Sequence, residues 1–293
     1  MVEDLLLKEL RDNDENNRIV ITDIHSPLVD CSELYIPTLD TSTRVLLYRP
    51  VQHTDGRLPV FINLHGGGFA LGYPEADDPY CRQISEKTAC LVVNVDYPLA
   101  PETKFPGALE SVYDVVKWVI AHSNELGIDS ERIAIGGHSA GGNLAAATSL
   151  LSTIRQEFRF VLQILDYPPL DLVTDADQKS IDPDADQDFI LISRKFNAWY
   201  LTHKNDAENP LASPIYAEDV SSLPPALIIT AEKDLLCEEA RLYADKLQQA
   251  GVPITYRMFE GCHHGFTHDP SCPSGEEAWD LMCTELTRAF NPS

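Results

Sequence analysis

Positive charge is what this sequence has least of. Its 293 residues carry 22 Lys and Arg against 46 Asp and Glu, a formal charge of −24. A chain so acidic repels phosphate backbones and anionic membrane surfaces, so no nucleic acid and no membrane are expected as partners; neutral or cationic small molecules suit it better. Long apolar runs are also missing: no uninterrupted stretch approaches the ~18–20 residues needed to span a bilayer. Met1–Leu10 begins acidic and has no basic region ahead of a long apolar core, so it does not read as a signal peptide, and a cytoplasmic protein is expected. The seven cysteines are odd in number, scattered and without a C-x-x-C pair. That argues against a disulfide framework and a cysteine zinc site, and for reduced thiols. Internal repeats and low-complexity linkers are absent too, so a single domain over 1–293 is expected.

What remains is a soluble composition, 44% hydrophobic and 23% charged, in a chain long enough for one large core. Residues 1–17 read as an amphipathic helix with Leu5, Leu6, Leu7 and Leu10 on one side. Strand character follows at Arg18–Ile24, Thr43–Arg49, Arg57–Leu64 and Cys90–Val95. From there strands and helices alternate. Helical spacing over Phe105–Ala121 precedes strand Glu131–Ile135, an Ala/Leu-rich helix from Leu144, and strand Phe160–Leu165. Strand Ala226–Thr230, helix Glu238–Ala250, strand Ile254–Phe259 and helix Glu276–Phe290 complete the chain. Eight strands, the later ones separated by helices, predict an α/β fold: a mostly parallel central sheet with helices on both faces. The rhythm breaks between about 168 and 214, where one helix near Leu191–Leu201 stands in a long insertion. An excursion of that length is expected to form a helical cap, together with about residues 1–40.

The chemistry gathers around Gly137-His138-Ser139-Ala140-Gly141. It is G-x-S-x-G between a buried strand and a helix, the context of a nucleophile elbow, in which a serine stands on a sharp turn ahead of a helix N-terminus. After strand Arg57–Leu64 comes His65-Gly66-Gly67-Gly68-Phe69. Three successive glycines suit a close backbone approach, and exposed amides there, with that of Ala140, can form an oxyanion hole.

A serine nucleophile needs a base, and the base an orienting carboxylate, which in one chain order follow the serine as acid and then histidine. Asp234 lies on the loop after strand Ala226–Thr230 and His264 on the loop after strand Ile254–Phe259. Glu232 sits nearer its strand end and is the poorer candidate for that carboxylate. His263 adjoins His264, and the sequence by itself does not separate the two. His138 projects away from its neighbour on a sharp elbow and makes a poor base. His264 and His268 have H-x-x-x-H spacing but no glutamate after the first histidine and no evident helix, so no metal site is expected there. Asp182–Asp188 begins like a calcium loop, but Gln187 and Ser193 occupy positions that require glycine and glutamate, and it reads as a solvated acidic loop.

From about Asn63 to Phe266 the sequence resembles the hormone-sensitive lipase family of α/β-hydrolase carboxylesterases. The matching stretches are His65–Phe69, Asp96-Tyr97-Pro98-Leu99-Ala100-Pro101-Glu102 with Phe105-Pro106, Gly137–Asn143 and His264-Gly265-Phe266. The resemblance implies an α/β-hydrolase fold with a helical cap, Ser139 as nucleophile, Asp234 as acid and His264 as base. It also implies an oxyanion hole from the amides of Gly67, Gly68 and Ala140, short-chain esters as substrates, no cofactor, and a possible homodimer. His138 stands where the family has Asp, Pro98 replaces Arg, and Leu235 replaces Pro. The expected function is a serine carboxylesterase working through an acyl-enzyme. An amidase or formamidase would use the same triad. A non-catalytic small-molecule receptor of this fold would lack the nucleophile or base, and here all three residues are present.

Overall fold

The structure, a computed structural model, describes residues 4–18, 27–38, 41–52, 56–179 and 187–292. Among them lie eight strands: β1 (Val29–Pro37), β2 (Ser42–Pro50), β3 (Leu58–Leu64), β4 (Leu91–Asp96), β5 (Ile128–His138), β6 (Leu162–Asp166), β7 (Ala226–Ala231) and β8 (Ile254–Phe259). They form one sheet in the order β1-β2-β4-β3-β5-β6-β7-β8. The β1–β2 and β2–β4 pairs are antiparallel and the remaining pairs parallel. The mostly parallel sheet is thus as expected, but its first strand is not. Beyond Arg18, the expected strand Arg18–Ile24 lies outside the described residues. The edge is β1, which falls inside the segment 1–40 expected to join a cap. Only two of its nine residues are buried, which is why its apolar pattern is faint.

Nine helices lie among the described residues: α1 (Leu5–Asn16), α2 (Asp78–Thr88), α3 (Gly107–Ala121), α4 (Ser123–Leu126), α5 (Ala140–Arg155), α6 (Ala176–Lys179), α7 (Gln187–Tyr200), α8 (Cys237–Gln249) and α9 (Pro273–Phe290). The central strands are buried on both sides and alternate between two cores. Val60, Ile62, Leu91, Val93, Ile133 and Ile135 pack on one face with α3, α5 and α8. Phe61, Val92, Ala134 and Leu227 pack on the other with α2 and α9. Sequence periodicity passes over α2 because its inward face includes Arg82, Ser85 and Thr88.

Two features direct attention to one end of the sheet. The chain leaves β3 toward β4 on one side and returns to β5 on the other, so the C-terminal ends of β3 and β5 lie at a topological switch point, where open α/β sheets form crevices. Helices α1 and α7 both touch the loops there. Within α1 only Leu7 is buried and Leu10 half-buried, while Leu5 and Leu6 are exposed, so the helix is not seated by the leucine face expected of it. Polar contacts add to the packing of Leu7 and Leu10 on the core. Arg11 donates to the carbonyls of Ala70 and Ala100 and to Glu102; Asp14 accepts from the Gly72 amide at 2.9 Å; Asp4 accepts from the Trp199 indole at 2.9 Å. Most of the acidic tract Asp182–Asp188 lies outside the described residues.

Candidate active site

Ser139 joins the last residue of β5 to the first of α5 with φ 50° and ψ −118°, a conformation sterically costly for a non-glycine residue. Close packing around it holds the strain. A Cβ placed on Gly141 would fall 2.0 Å from the Leu64 carbonyl oxygen, so only glycine lets α5 start this near β3. The Ser139 amide donates to the Asp166 carbonyl at 2.8 Å, and the Ser139 carbonyl accepts from Asn143 at 3.0 Å. Asn143 is buried and donates from its side chain to the carbonyls of Pro169 and Ala212, tying the segment after β6 to the helix.

The structure brings together Ser139, His264 and Asp234. His264 Nε2 lies 3.0 Å from Ser139 Oγ, and its Nδ1 lies 2.7 Å from Asp234 Oδ2. With Nδ1–H donating to the carboxylate, Nε2 is the acceptor for the serine hydroxyl. The other Asp234 oxygen accepts from the Leu236 amide at 3.0 Å, and the Asp234 side chain is 1% exposed. The alternatives stand elsewhere. Glu232 is exposed and accepts from the Gly261 amide at 2.7 Å; His263 is exposed.

Beside the serine, the loop after β3 turns sharply, with positive φ at Gly67, Gly68 and Phe69. The Gly67 carbonyl accepts from the amides of Ala70 and Leu71, which folds the loop back on itself. Burial lowers the pKa of His65, and this neutral ring donates from Nδ1 to the Gly66 carbonyl at 2.7 Å while stacking on Tyr97. Among the described residues the amides of Gly67, Gly68 and Ala140 donate to no backbone or side-chain acceptor. Ser139, His264 and this glycine loop open onto a cavity of about 410 Å³, whose apolar wall includes Tyr167, Leu172, Phe189, Phe196, Leu235 and Leu236. That volume suits a small molecule rather than a polymer. The phenyl ring of Phe189 lies 4.6 Å from the His264 ring, centroid to centroid.

A second polar cluster lies behind the elbow. His138, 3% exposed, turns away from Ser139; its Nε2 lies 3.2 Å from Asp77 Oδ2 and its Nδ1 3.3 Å from Asp166 Oδ2. Burial opposes protonation of this ring, but the two carboxylates outweigh it and raise its pKa to about 9. Thr267 donates to Asp166 Oδ2 at 2.8 Å, and Asn63 donates to Asp77 Oδ2 at 2.7 Å. Replacement of the usual Asp by His138 was the one visible trace of this arrangement. Its other members, Asn63, Asp77, Asp166 and Thr267, come from four chain segments that no local spacing connects.

A family model described as the alpha/beta hydrolase fold matches residues 61–268. An arylesterase of Saccharolobus solfataricus is 35% identical over 83% of this chain and 79% of its own. The carboxylesterase NlhH of Mycobacterium tuberculosis is 35% identical over 86% of this chain and 80% of its own. Among solved structures, that of EstE1, a thermophilic and thermostable carboxylesterase cloned from a metagenomic library, superposes with a TM-score of 0.89. It is 36% identical, with 98% of each chain covered.

Proposed function

The chain belongs to the alpha/beta hydrolase fold family, among its hormone-sensitive-lipase-like carboxylesterases, and from that membership we propose that Ser139, His264 and Asp234 are the catalytic triad of a short-chain carboxylesterase. One observation carries the assignment: a continuous hydrogen-bond chain from Asp234 through His264 to Ser139, at 2.7 and 3.0 Å, that ends in an apolar cavity. Ser139 Oγ attacks the ester carbonyl carbon while His264 Nε2 takes its proton. The carbonyl π electrons move to oxygen, and the amides of Gly67, Gly68 and Ala140 receive the oxyanion at the dipole-positive end of α5. On collapse, His264 returns the proton to the departing alcohol. Water, deprotonated by the same nitrogen, then attacks the acyl-enzyme and releases the acid and Ser139. Side chains, backbone amides and water suffice for every step.

The oxyanion assignment has its own test. A Cβ on Gly67 would sit 2.2 Å from the Leu71 carbonyl oxygen, at a φ of 116° that alanine rarely adopts. Gly67→Ala therefore displaces the loop, and the expected loss is about 10²–10³-fold in kcat with KM much less changed. Circular dichroism of the same sample checks that the fold survives. A variant within about twofold of wild type would remove Gly67 from the hole.

We further propose that α1, α6 and α7 cap the cavity and limit acyl length. Supporting this, the Phe196 ring packs so tightly on the glycine loop that a Cβ on Gly68 would lie 2.2 Å from it. Hydrolysis of p-nitrophenyl esters from acetyl to dodecanoyl should peak at short chains. Phe196→Ala should raise kcat/KM for the next longer esters by about tenfold, the worth of one or two methylenes in an apolar pocket. An unchanged profile would place the limit elsewhere, and an enzyme that turned over matched amides but no ester would move the assignment to an amidase.

A further inference from the structure

Asp77, His138 and His268 reach the wall of the same cavity from three separate parts of the chain. Asp77 ends the 3₁₀ turn Pro74–Asp77, His138 ends β5, and His268 ends the 3₁₀ turn Phe266–His268. The Nε2 atoms of both histidines converge on one carboxylate: His138 Nε2 is 3.2 Å from Asp77 Oδ2, and His268 Nε2 is 3.1 Å from Asp77 Oδ1. One potential ligand atom from each residue lies within 4.8 Å of the other two. We propose that Asp77, His138 and His268 form a binding site for a divalent transition-metal ion of the zinc type, with its open coordination position toward the cavity.

Three observations support this beyond the choice of residues. The first is spacing. Each histidine Nε2 lies 3.1–3.2 Å from its own oxygen of the Asp77 carboxylate, and one atom from each residue lies within 4.8 Å of the others, so small side-chain shifts bring the three to the ~3.3 Å that separates ligands ~2.0–2.1 Å from a tetrahedral Zn²⁺. These contacts are also longer than the ~2.7–2.9 Å of a charge-assisted hydrogen bond, a length that His264 and Asp234 do attain at 2.7 Å. The second is the outer set of contacts. Metal-binding histidines characteristically have their remote ring nitrogen held by a carboxylate, hydroxyl or carbonyl group. His138 Nδ1 lies 3.3 Å from Asp166, and His268 Nδ1 lies 3.0 Å from the Tyr167 hydroxyl. Asn63 secures the Asp77 carboxylate. The third is charge. Two buried carboxylates, Asp77 and Asp166, meet here, and Asp166 Oδ1 is buried without a partner. A divalent ion supplies the two positive charges that balance them.

The site is distinct from the H-x-x-x-H pair of His264 and His268, because His264 is engaged by Ser139 and Asp234. It is also independent of the esterase assignment, so its test reads metal and not turnover. Chelator-stripped full-length protein is dialysed against Zn²⁺ alone, and bound metal is measured. One Zn²⁺ per chain at micromolar concentrations is expected. Asp77→Asn and His268→Gln should each weaken binding by more than about tenfold, while His264→Gln should retain it. Titration of the unaltered protein with Co²⁺ requires no variant: intense visible bands of four-coordinate cobalt are expected. No uptake at submillimolar Zn²⁺, uptake abolished by His264→Gln and kept by His268→Gln, or only the weak spectrum of six-coordinate cobalt would each overturn the proposal.

Discussion

With Ser139 replaced by alanine, hydrolysis of p-nitrophenyl acetate falls by about 10⁵–10⁶ in kcat, to the residual rate that binding and the oxyanion amides sustain without a nucleophile. The proposed reaction forms its covalent bond at Ser139 Oγ, and His264 Nε2 is 3.0 Å from that atom and aimed at no other nucleophile in the described residues. Alanine keeps the Cβ, so the strained φ of 50° and the packing of α5 against β3 are unchanged, and the melting temperature should hardly move. His264 is 20% exposed at its side chain, so water can replace the lost hydroxyl at Nε2. Activity and stability therefore separate in this variant. The two readouts are kcat on the acetate ester and labelling by a fluorophosphonate, which should disappear. Retention of more than about a thousandth of wild-type kcat would remove Ser139 from the nucleophile's role.

How far the sequence discloses this molecule depends on how local each signal is. Strands β3, β4 and β7 are buried on both faces and read as nearly continuous apolar runs. The elbow and the glycine loop are contiguous motifs, and β3 and β5 bring them together by direct pairing, Leu64 against Gly137. By contrast, β1 is an edge strand, half exposed, with Asp30, Ser32 and Glu33 along it, so neither periodicity nor composition marks it. Helix α2 buries polar side chains that the fold satisfies from elsewhere: Arg82 donates to Asp78 and to the Val29 carbonyl, and Ser85 to the carbonyls of Tyr48 and Cys90. The leucines of α1 mislead in the opposite sense, because only Leu7 and Leu10 reach the core, Leu5 and Leu6 are exposed, and polar anchors complete the docking of that helix. Least legible is the cluster behind the elbow. Asp77 is 61 residues from His138 and 191 from His268, and only the sheet order and the turns after β3 and β8 bring them together.

The acid of the proposed triad can be separated from its neighbour by an isosteric change. Asp234→Asn should lower kcat by about 10⁴, the loss known for serine triads in which the orienting carboxylate becomes an amide. The geometry shows why. In the native protein both Asp234 oxygens accept, Oδ2 from His264 Nδ1 and Oδ1 from the Leu236 amide. Asparagine has one oxygen and one NH₂ for these two donors. If the oxygen stays on Leu236, the NH₂ faces Nδ1 and drives the ring proton to Nε2, where it blocks acceptance from Ser139. If the amide turns over, the NH₂ meets the Leu236 N–H, and two donors oppose one another in a site where the side chain is 1% exposed. Either way the base is lost or the loop is displaced. Substrate contacts with the cavity wall are untouched, so KM should change little and the loss should fall on kcat. Glu232→Gln is the matched control, because Glu232 is exposed and contacts the Gly261 amide instead of His264. It should leave kcat within about twofold, since a neutral amide oxygen still accepts that bond. The reverse ranking, with Glu232→Gln the slower enzyme, would transfer the acid's role to Glu232 despite the 2.7 Å contact between Asp234 and His264.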